Sequence, residues 1–358
     1  MLKAMKTKCG VVAFLILAAP AAALAQTTGA SFLEISNSPR AYALGMSDAV
    51  TALGASAVDA NPANMGFMPQ KFEVSTSYAT LLAGTNLEYL AAAFSPSSLG
   101  PLDALGLSVT RLQTPTIPGA DASGNPTGSS FTSGDLAVTL GASMHVTSDL
   151  RLGLAAKVLQ ETIAGYHSND AIAGNFGATW VVTPYHHPLT LAAGVTNFGE
   201  GTRFISQTDP LPTSLNAGVA LPLGSFLVVV EVNHTLYDNM TQFGTGLEYT
   251  IGPVALRVGY LEQAQGATNV AYNDQTSGGQ FLDGLEAGVG IKYGVVRVDY
   301  AFSEQAVDFG PTQRIALTIQ WGDKGHREHR RSVELQENHE NPADQERPDW
   351  LLRTIGNY

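Results

Sequence analysis

Apolar and polar residues alternate with a period of two along most of the chain beyond residue 70. In VVRVDYAF (295–302), Val296 and Val298 fall on one face, whereas Arg297 and Asp299 fall on the other. Successive side chains of a strand point to opposite sides of a sheet, so such segments are predicted strands with one apolar and one polar face. Further charged residues occupy the polar faces of similar segments: Lys157, Glu231, Glu248, Arg257, Glu286, Lys292 and Arg314.

About fourteen segments of this kind are predicted, each roughly ten residues long, which is the length of a tilted membrane strand. Their predicted bounds are 71–80, 86–94, 103–112, 133–147, 150–165, 168–182, 188–198, 211–222, 224–234, 242–251, 253–262, 281–293, 294–304 and 311–321. Alanine and glycine blur the alternation in the fourth to sixth segments.

The connections between these segments alternate in length. Short joints, such as 251–253 and 293–294, are interleaved with long polar ones at 113–130, 199–211 and 262–280. Membrane barrels carry short turns on the periplasmic rim and long loops outside. The pattern predicts an all-β transmembrane antiparallel barrel of about fourteen strands. We expect it to lie in bacterial outer-membrane lipid, with both termini periplasmic and the long loops extracellular.

The alternative is a water-soluble β-sandwich or propeller. Its apolar faces would meet in a core, and its loops would show no alternation of length.

The first 25 residues have the pattern of a secretory signal peptide. Three lysines precede the apolar run 11–23, and Ala-Leu-Ala at 23–25 is a small-residue cleavage pattern. The run is too short for a permanent membrane helix, which is the alternative. Cys9, the sole cysteine, precedes the run, so lipoprotein processing and disulfides are not expected.

Charge and motifs exclude several classes of function. Removing the leader's three lysines from 19 basic residues leaves 16 against 31 acidic ones, a charge of −15 that argues against nucleic-acid binding. No nucleophile elbow, P-loop or H-E-x-x-H motif is present. The pairs His186–His187 and His326–His329 lack a third metal ligand at a fixed spacing. We therefore predict no enzymatic activity, no catalytic residues, no metal and no cofactor.

The segment SPRAYALGMSDAVTALGASAVDANPANMGF (38–67) is rich in small residues and precedes the first predicted strand. Asn61 before Pro62 disfavours a helix and favours a turn. Residues 32–68 resemble the N-terminal signature of the PorV/PorQ family, with its F-L-x-I element, R-A-x-x-M-G and W-N-P-A-G-L. GVTNFG (194–199) and GLEYTIGPVALRVGY (246–260) resemble later family segments.

Three positions depart from the family pattern. Leu44-Gly45 replaces Met-Gly, Ala60 replaces the aromatic residue before Asn61, and Asn64 stands where the family has glycine. Packing at the end of the segment is therefore expected to differ from the family norm.

The resemblance implies a barrel of the FadL type, with residues 26–70 as a plug inside the lumen and residues 71–321 as the barrel. The plug residues singled out are Arg40, Gly45, Asp59, Asn61 and Pro62. Arg40 and Asp59 are expected to pair with inward-facing charges of the wall.

The resemblance also implies a function, which is assistance to protein secretion in the manner of type IX secretion. The barrel would bind a secretion channel, a secreted cargo protein or a periplasmic protein. The alternative is a FadL-like outer-membrane channel for hydrophobic small molecules.

Residues 322–358 form a charged segment that we predict to be a periplasmic tail. Its last ten residues, DWLLRTIGNY, space apolar residues as a short amphipathic helix does. A docking peptide for a periplasmic partner and a frayed end are both compatible with this pattern. The candidate docking residues are Trp350, Leu351, Leu352 and Ile355.

Overall fold

A computed structural model describes residues 28–96, 99–183, 188–265, 270–271, 284–304 and 311–322. Several sequence predictions concern residues outside these ranges: the leader 1–25, most of the loop 262–280, His186–His187, His326 and His329, the tail from 323, and Trp350, Leu351, Leu352 and Ile355.

Fourteen antiparallel strands form a closed barrel. They are β1 (Phe72–Thr80), β2 (Asn86–Phe94), β3 (Leu102–Gln113), β4 (Ser133–His145), β5 (Leu150–Ile163), β6 (Ala171–Val182), β7 (Leu189–Gly199), β8 (Ser214–Leu223), β9 (Phe226–Thr235), β10 (Met240–Ile251), β11 (Val254–Gln265), β12 (Leu285–Tyr293), β13 (Val296–Glu304) and β14 (Pro311–Trp321). Strand β14 pairs with β1, with Trp321 opposite Phe72, and this pairing closes the sheet. The predicted fold class is confirmed, and each predicted segment matches a strand within a few residues.

The loop after β3 contains structure that the sequence analysis missed. Ile117–Ala120 and Pro126–Phe131 pair as an exposed hairpin. The backbone N–H groups of Ser123 and Asn125 donate to Asp121 and close its turn. The hairpin is largely polar on both faces, so the alternation of apolar and polar residues does not reveal its strands. Two further two-residue strands, Tyr166–His167 and Val270–Ala271, pair with β5 and β11.

The barrel is apolar outside and polar inside. Along β5, Leu154 is 61% exposed, whereas the inward-facing Lys157 of the same strand is only 3% exposed. The same holds along β14, where Ile315 and Leu317 face outward while Arg314 and Thr318 are buried. This arrangement is the reverse of a water-soluble barrel, so the sandwich alternative is wrong. Closure pairs the strand edges with each other, which an apolar surrounding requires.

A chain of short helical turns fills the lumen. These turns are the 3₁₀ helix Ser31–Glu34, α1 (Pro39–Tyr42), α2 (Asp48–Thr51) and the 3₁₀ helices Gly54–Ala57 and Pro62–Phe67; a further 3₁₀ turn, Leu82–Gly84, connects β1 to β2. Phe32, Leu44, Val58 and Met65 are all at most 1% exposed, so the described core lies between this segment and the wall. No helix among the described residues is long and apolar enough to cross a membrane.

The luminal segment runs from one rim of the barrel to the other. Thr28 donates to Asp238, which lies in the turn between β9 and β10 on the long-loop rim. Lys71 pairs with Gly322 at the opposite rim, where β1 begins and β14 ends. The expectation that both ends of the chain lie on the short-turn side therefore fits Trp321 but not Thr28, the first described residue. The reason is that the chain crosses the lumen once before the first strand.

Candidate functional site

The candidate site is the interface between the plug, defined here as residues 28–67, and the inner wall of the barrel. Two groups of wall glycines receive the plug. The first glycine patch consists of Gly244, Gly246, Gly259 and Gly288 on β10 to β12. The second glycine patch consists of Gly106, Gly141, Gly153 and Gly177 on β3 to β6.

The first glycine patch faces Ala43–Gly45. A Cβ atom at position 246 would lie 2.6 Å from Leu44 Cα, so any larger residue would displace the plug backbone. Gly45 itself has a φ of +74°, a left-handed conformation that favours glycine. Its N–H donates to the Glu286 carboxylate at 2.9 Å. Strand glycine here permits close approach of two backbones.

The second glycine patch faces the Asn61-Pro62 turn. Asn61 is the N-cap of the 3₁₀ helix Pro62–Phe67 and accepts a hydrogen bond from the Ala63 N–H at 3.1 Å. The Asn61 amide also donates to Ala49 O at 2.9 Å and to Thr179 Oγ1 at 3.1 Å. These bonds fasten the turn both to the plug and to β6.

Asn64, where the family pattern has glycine, also takes part in this fastening. Its amide nitrogen donates to Ala49 O at 2.9 Å, and its oxygen accepts from Thr179 Oγ1 at 2.7 Å. The departure from the pattern thus adds a second link to β6.

A buried network of charges joins the plug to β10, β11 and β13. Arg40 Nε and Nη2 each lie 2.9 Å from a carboxylate oxygen of Glu248. Glu248 also accepts from Arg257 Nε at 2.6 Å, and Arg257 Nη1 donates to Asp299 at 2.7 Å. Arg297 completes the row with an Nε to Asp299 Oδ2 distance of 2.8 Å. Such bidentate pairs are the stronger kind of charge-assisted hydrogen bond.

A second ion pair joins the plug to β5. Asp59 Oδ1 lies 3.5 Å from Lys157 Nζ, and Asp59 also accepts from the hydroxyl groups of Ser108 and Thr139. Lys157 donates in addition to Asn197 at 2.9 Å, at a bulge in β7. The buried lysine therefore has a plug partner and a wall partner.

Three wall carboxylates accept hydrogen bonds from backbone N–H groups of the plug. Besides Glu286, Glu231 accepts from Ala49 and Val50 at 3.0 and 3.2 Å. Glu73 accepts from Ala55 N at 2.9 Å. Glu73 is not among the predicted luminal charges, although the period-two alternation along β1 places it on the inward face and could have identified it.

The remaining predicted luminal charges lie on β12 and β14. Arg314 donates to Ser36 O, and its guanidinium lies 3.9 Å from the centre of the Tyr42 ring. Lys292 is half-buried on β12, in register with Arg297.

All the plug residues singled out from the sequence contact the wall in the structure. They are Arg40, Gly45, Asp59, Asn61 and Pro62.

A clamp at the short-turn rim was also missed by the sequence analysis. The Arg151 guanidinium lies 4.1 Å from the centre of the Phe67 ring, at the end of the plug. Asp103 holds Arg151 at 3.1 Å and His145 at 2.7 Å. No motif marks these residues, because they come from three strands and the plug.

An apolar cluster surrounds Phe32 towards the long-loop rim. Phe32 is 1% exposed and packs among small and aliphatic residues of the plug, the wall and the loop after β7: Ala30, Ala137, Leu159, Ala171, Ala173 and Leu211. Beside it lies a polar cavity of about 90 Å³, lined by Asp48, Asn216 and Glu231 among others. A cavity of this volume has room for about three water molecules.

Among the residues that the structure describes, no group of three or more His, Cys, Asp and Glu side chains is placed to hold a metal ion.

Comparison with known proteins identifies the class of fold. No family model and no curated protein matches the chain. Among solved structures, it is similar to the Pseudomonas putida toluene transporter TodX, with a TM-score of 0.52 and 14% identity over 78% of this chain and 96% of that chain. CymD, a monoaromatic hydrocarbon channel, gives a TM-score of 0.53 and 12% identity over 80% of this chain and 98% of that chain. The fold is that of FadL-like barrels.

Proposed function

We propose that this protein is an outer-membrane channel for small hydrophobic molecules and that the plug holds it closed. The observation that carries this proposal is the apolar cluster around Phe32 inside the lumen. The benzyl side chain of Phe32 has the size of toluene, and wall alanines form much of its surroundings. The solved neighbours TodX and CymD, by their descriptions, carry toluene and monoaromatic hydrocarbons.

Passage through this lumen requires movement of the plug. The plug fills both glycine patches, and the cavity beside it holds only a few waters by volume. Inward charges disfavour a hydrophobic route less when they are paired, and the Glu248 and Asp59 clusters are paired. The apolar surface around Phe32 then offers a site for a hydrophobic solute near the long-loop rim.

A disulfide lock between plug and wall tests the proposal. A Cβ at Gly218 would lie 3.2 Å from Val50 Cβ, slightly closer than the usual disulfide spacing of about 3.5–4.5 Å, so a small outward shift of the plug lets V50C/G218C form the bond. Whole cells lacking other hydrocarbon channels should take up labelled toluene when they carry the protein. Oxidation of the lock should abolish this uptake, and a reductant should restore it. Val50→Cys alone should be insensitive to oxidation. Uptake by wild type no greater than in cells that lack the protein would refute the channel, and uptake by the oxidised lock equal to wild type would refute the requirement for plug movement.

A role of the PorV/PorQ type in secretion is the second candidate. It is favoured by the signature residues Arg40, Gly45, Asn61 and Pro62, all of which contact the wall, and by the exposed hairpin 117–131 on the long-loop rim. Such a barrel would bind a translocon or cargo without opening. Affinity purification from native membranes should then recover one of these partners, and the oxidised lock should retain it. Recovery of bulk porins alone would count against this role.

A further inference from the structure

The inner wall has the properties of a receptor for a peptide. We infer that the barrel binds residues 38–67 as a ligand, without needing their covalent link to β1, and that it takes up the same peptide in trans, including that of a second copy of the chain. The peptide class is a series of short turns of small residues that carries one arginine and two aspartates. This inference does not depend on which molecule crosses the lumen.

The first support is that the wall recognises peptide backbone. Glu73, Glu231 and Glu286 come from three separate strands, and each accepts a hydrogen bond from a plug N–H group. All three carboxylates are at most 5% exposed. A lumen with a merely polar lining would not be expected to place a carboxylate opposite the free backbone N–H groups of three successive turns of the plug. Carboxylate acceptors paired with backbone N–H groups form charge-assisted hydrogen bonds.

The second support is the shape of the wall. Each glycine patch lies across neighbouring strands, and the atoms nearest to Gly153 and Gly246 belong to the plug backbone or to a Cβ atom. At Gly153 they are atoms of Pro62 and Ala63, and at Gly246 they are atoms of Leu44. The glycines therefore form two shallow seats, one for the main chain of residues 43–45 and one for the Asn61-Pro62 turn together with the side chains of Val58 and Met65.

The third support is that two opposite charges define the orientation of the peptide. Arg40 meets Glu248 on β10, and Asp59 meets Lys157 on β5. Reversing the peptide would place arginine near lysine and aspartate near glutamate, which is repulsive at both places. The wall thus selects one direction as well as one class of sequence.

The charge network around Glu248 also stays balanced when the peptide leaves. Glu248 and Asp299 are paired with Arg257 and Arg297, so two wall carboxylates face two wall guanidinium groups in the absence of Arg40. Lys157 keeps its bond to Asn197. Removing one partner of a buried ion pair is costly because the other is left uncompensated, and here this cost is reduced. Release and rebinding are therefore compatible with an intact barrel.

The link between plug and barrel is short and accessible. Met68 is buried, Pro69 is exposed, and Phe72 already belongs to β1. A protease site inserted between Pro69 and Gln70 of the full chain allows the link to be cut after folding in detergent micelles. The cut fragment should co-elute with the barrel in size exclusion. A fluorescent synthetic peptide of residues 28–69 should then exchange into the cut protein and not into the uncut protein.

Variant peptides and wall variants make the test specific. Peptides carrying Arg40→Ala or Asp59→Ala should bind at least tenfold more weakly, and a scrambled peptide should not bind. Gly153→Val in the wall should abolish capture, whereas Leu154→Val, an outward position on the same strand, should leave it unchanged. If Gly153→Val does not fold, the peptide variants still decide the question.

The inference is overturned if the cut fragment is lost and the labelled peptide in hundredfold excess is not captured while the barrel keeps its β-sheet circular dichroism. Equal capture of the scrambled peptide would overturn it as well. Either result leaves the disulfide-lock assay of the channel unaffected, so the two proposals can fail separately.

Discussion

Arg40 and Glu248, which are 208 positions apart in sequence, form a bidentate ion pair inside the barrel, with both nitrogen–oxygen distances at 2.9 Å. Their side chains are 5% and 3% exposed. Arg40 belongs to α1 of the plug, and Glu248 belongs to β10. Because the same carboxylate also binds Arg257, the pair connects the plug to a charge network that the wall maintains by itself.

This geometry predicts that the two partners are not equivalent. Arg40→Ala leaves Glu248 with Arg257, so we expect a loss of about 1.5–3 kcal/mol in plug docking, the range for a hydrogen bond to a charged group. Glu248→Ala deprives two buried arginines of a partner and should cost about 3–5 kcal/mol. Hydrogen exchange of amides 41–51 in detergent measures the difference. Arg111→Ala, which breaks an exposed pair with Glu88, is the control and should cost less than about 1 kcal/mol. Equal losses at Arg40 and Glu248 would contradict the network.

We predict that Gly246 is needed for docking of the plug and is not needed for folding of strand β10. Gly246→Val places a side chain against Leu44 and should expel residues 43–45 from the first glycine patch. Valine favours strands, so the barrel itself should remain folded. Limited proteolysis of the plug in detergent should become faster, with the barrel fragment preserved. Thr245→Val, the adjacent outward position, should leave the proteolysis rate unchanged.

The Asp59–Lys157 pair should show strong coupling between its members. Lys157→Met leaves Asp59 with the hydroxyls of Ser108 and Thr139, whereas Asp59→Asn leaves a buried lysine with Asn197. Because an uncompensated buried ammonium is costly, we expect Asp59→Asn to lower the thermal midpoint more than Lys157→Met. In the double variant the loss should be smaller than the sum of the single losses, since neither charge remains. Simple additivity would show that the pair has no energetic coupling.

Phe32 should both anchor the start of the plug and restrict the apolar cluster. Phe32→Ala removes a fully buried ring and should destabilise the packing of residues 28–36 by about 3–5 kcal/mol. If the channel proposal holds, toluene uptake by whole cells should rise, because the cluster gains space for a solute ring. Phe204→Ala, a partly exposed position in the loop after β7, serves as a control with unchanged uptake. Lower uptake with Phe32→Ala would argue that Phe32 guides the solute.

The hairpin on the long-loop rim should respond to acid. Backbone N–H groups of Asn125 and Ser123 and the side chain of Asn125 hydrogen-bond to Asp121 and lower the pKa of its carboxyl group. A lowered folded-state pKa means that the turn is stabilised above the ordinary value of 3.8 and loses this support as pH falls through the folded value. NMR amide shifts of residues 123 and 125 should therefore be constant from neutral pH down to about 4 and change below it. Asp121→Asn should remove this acid-dependent change.

Much of the barrel was predictable from local pattern. The alternation of apolar and polar residues predicted that Arg257, Glu286 and Arg314 face inward. All three side chains are indeed buried in the lumen. The strand bounds followed from the same alternation and from the turn residues between the segments. The hairpin 117–131 was not predictable in this way, because its exposed strands carry no apolar face.

The plug was only partly predictable. Asn61-Pro62 predicted a turn with a side-chain cap, and the structure contains this cap. The partner of each charge was not predictable, since Glu231, Glu248 and Glu286 have the same parity and differ only in their position around the barrel. Glu231 and Glu286 accept backbone N–H groups, and only Glu248 receives the guanidinium of Arg40.

The sequence by itself determined that the chain forms strands with apolar outer and polar inner faces, because side-chain parity is a local property of extended backbone. Only the tertiary structure decided which wall residues meet the plug and that Thr28 reaches the long-loop rim. Those contacts join residues that are up to 278 positions apart, as between Arg314 and Ser36. They depend on barrel closure and strand register, which no local pattern encodes.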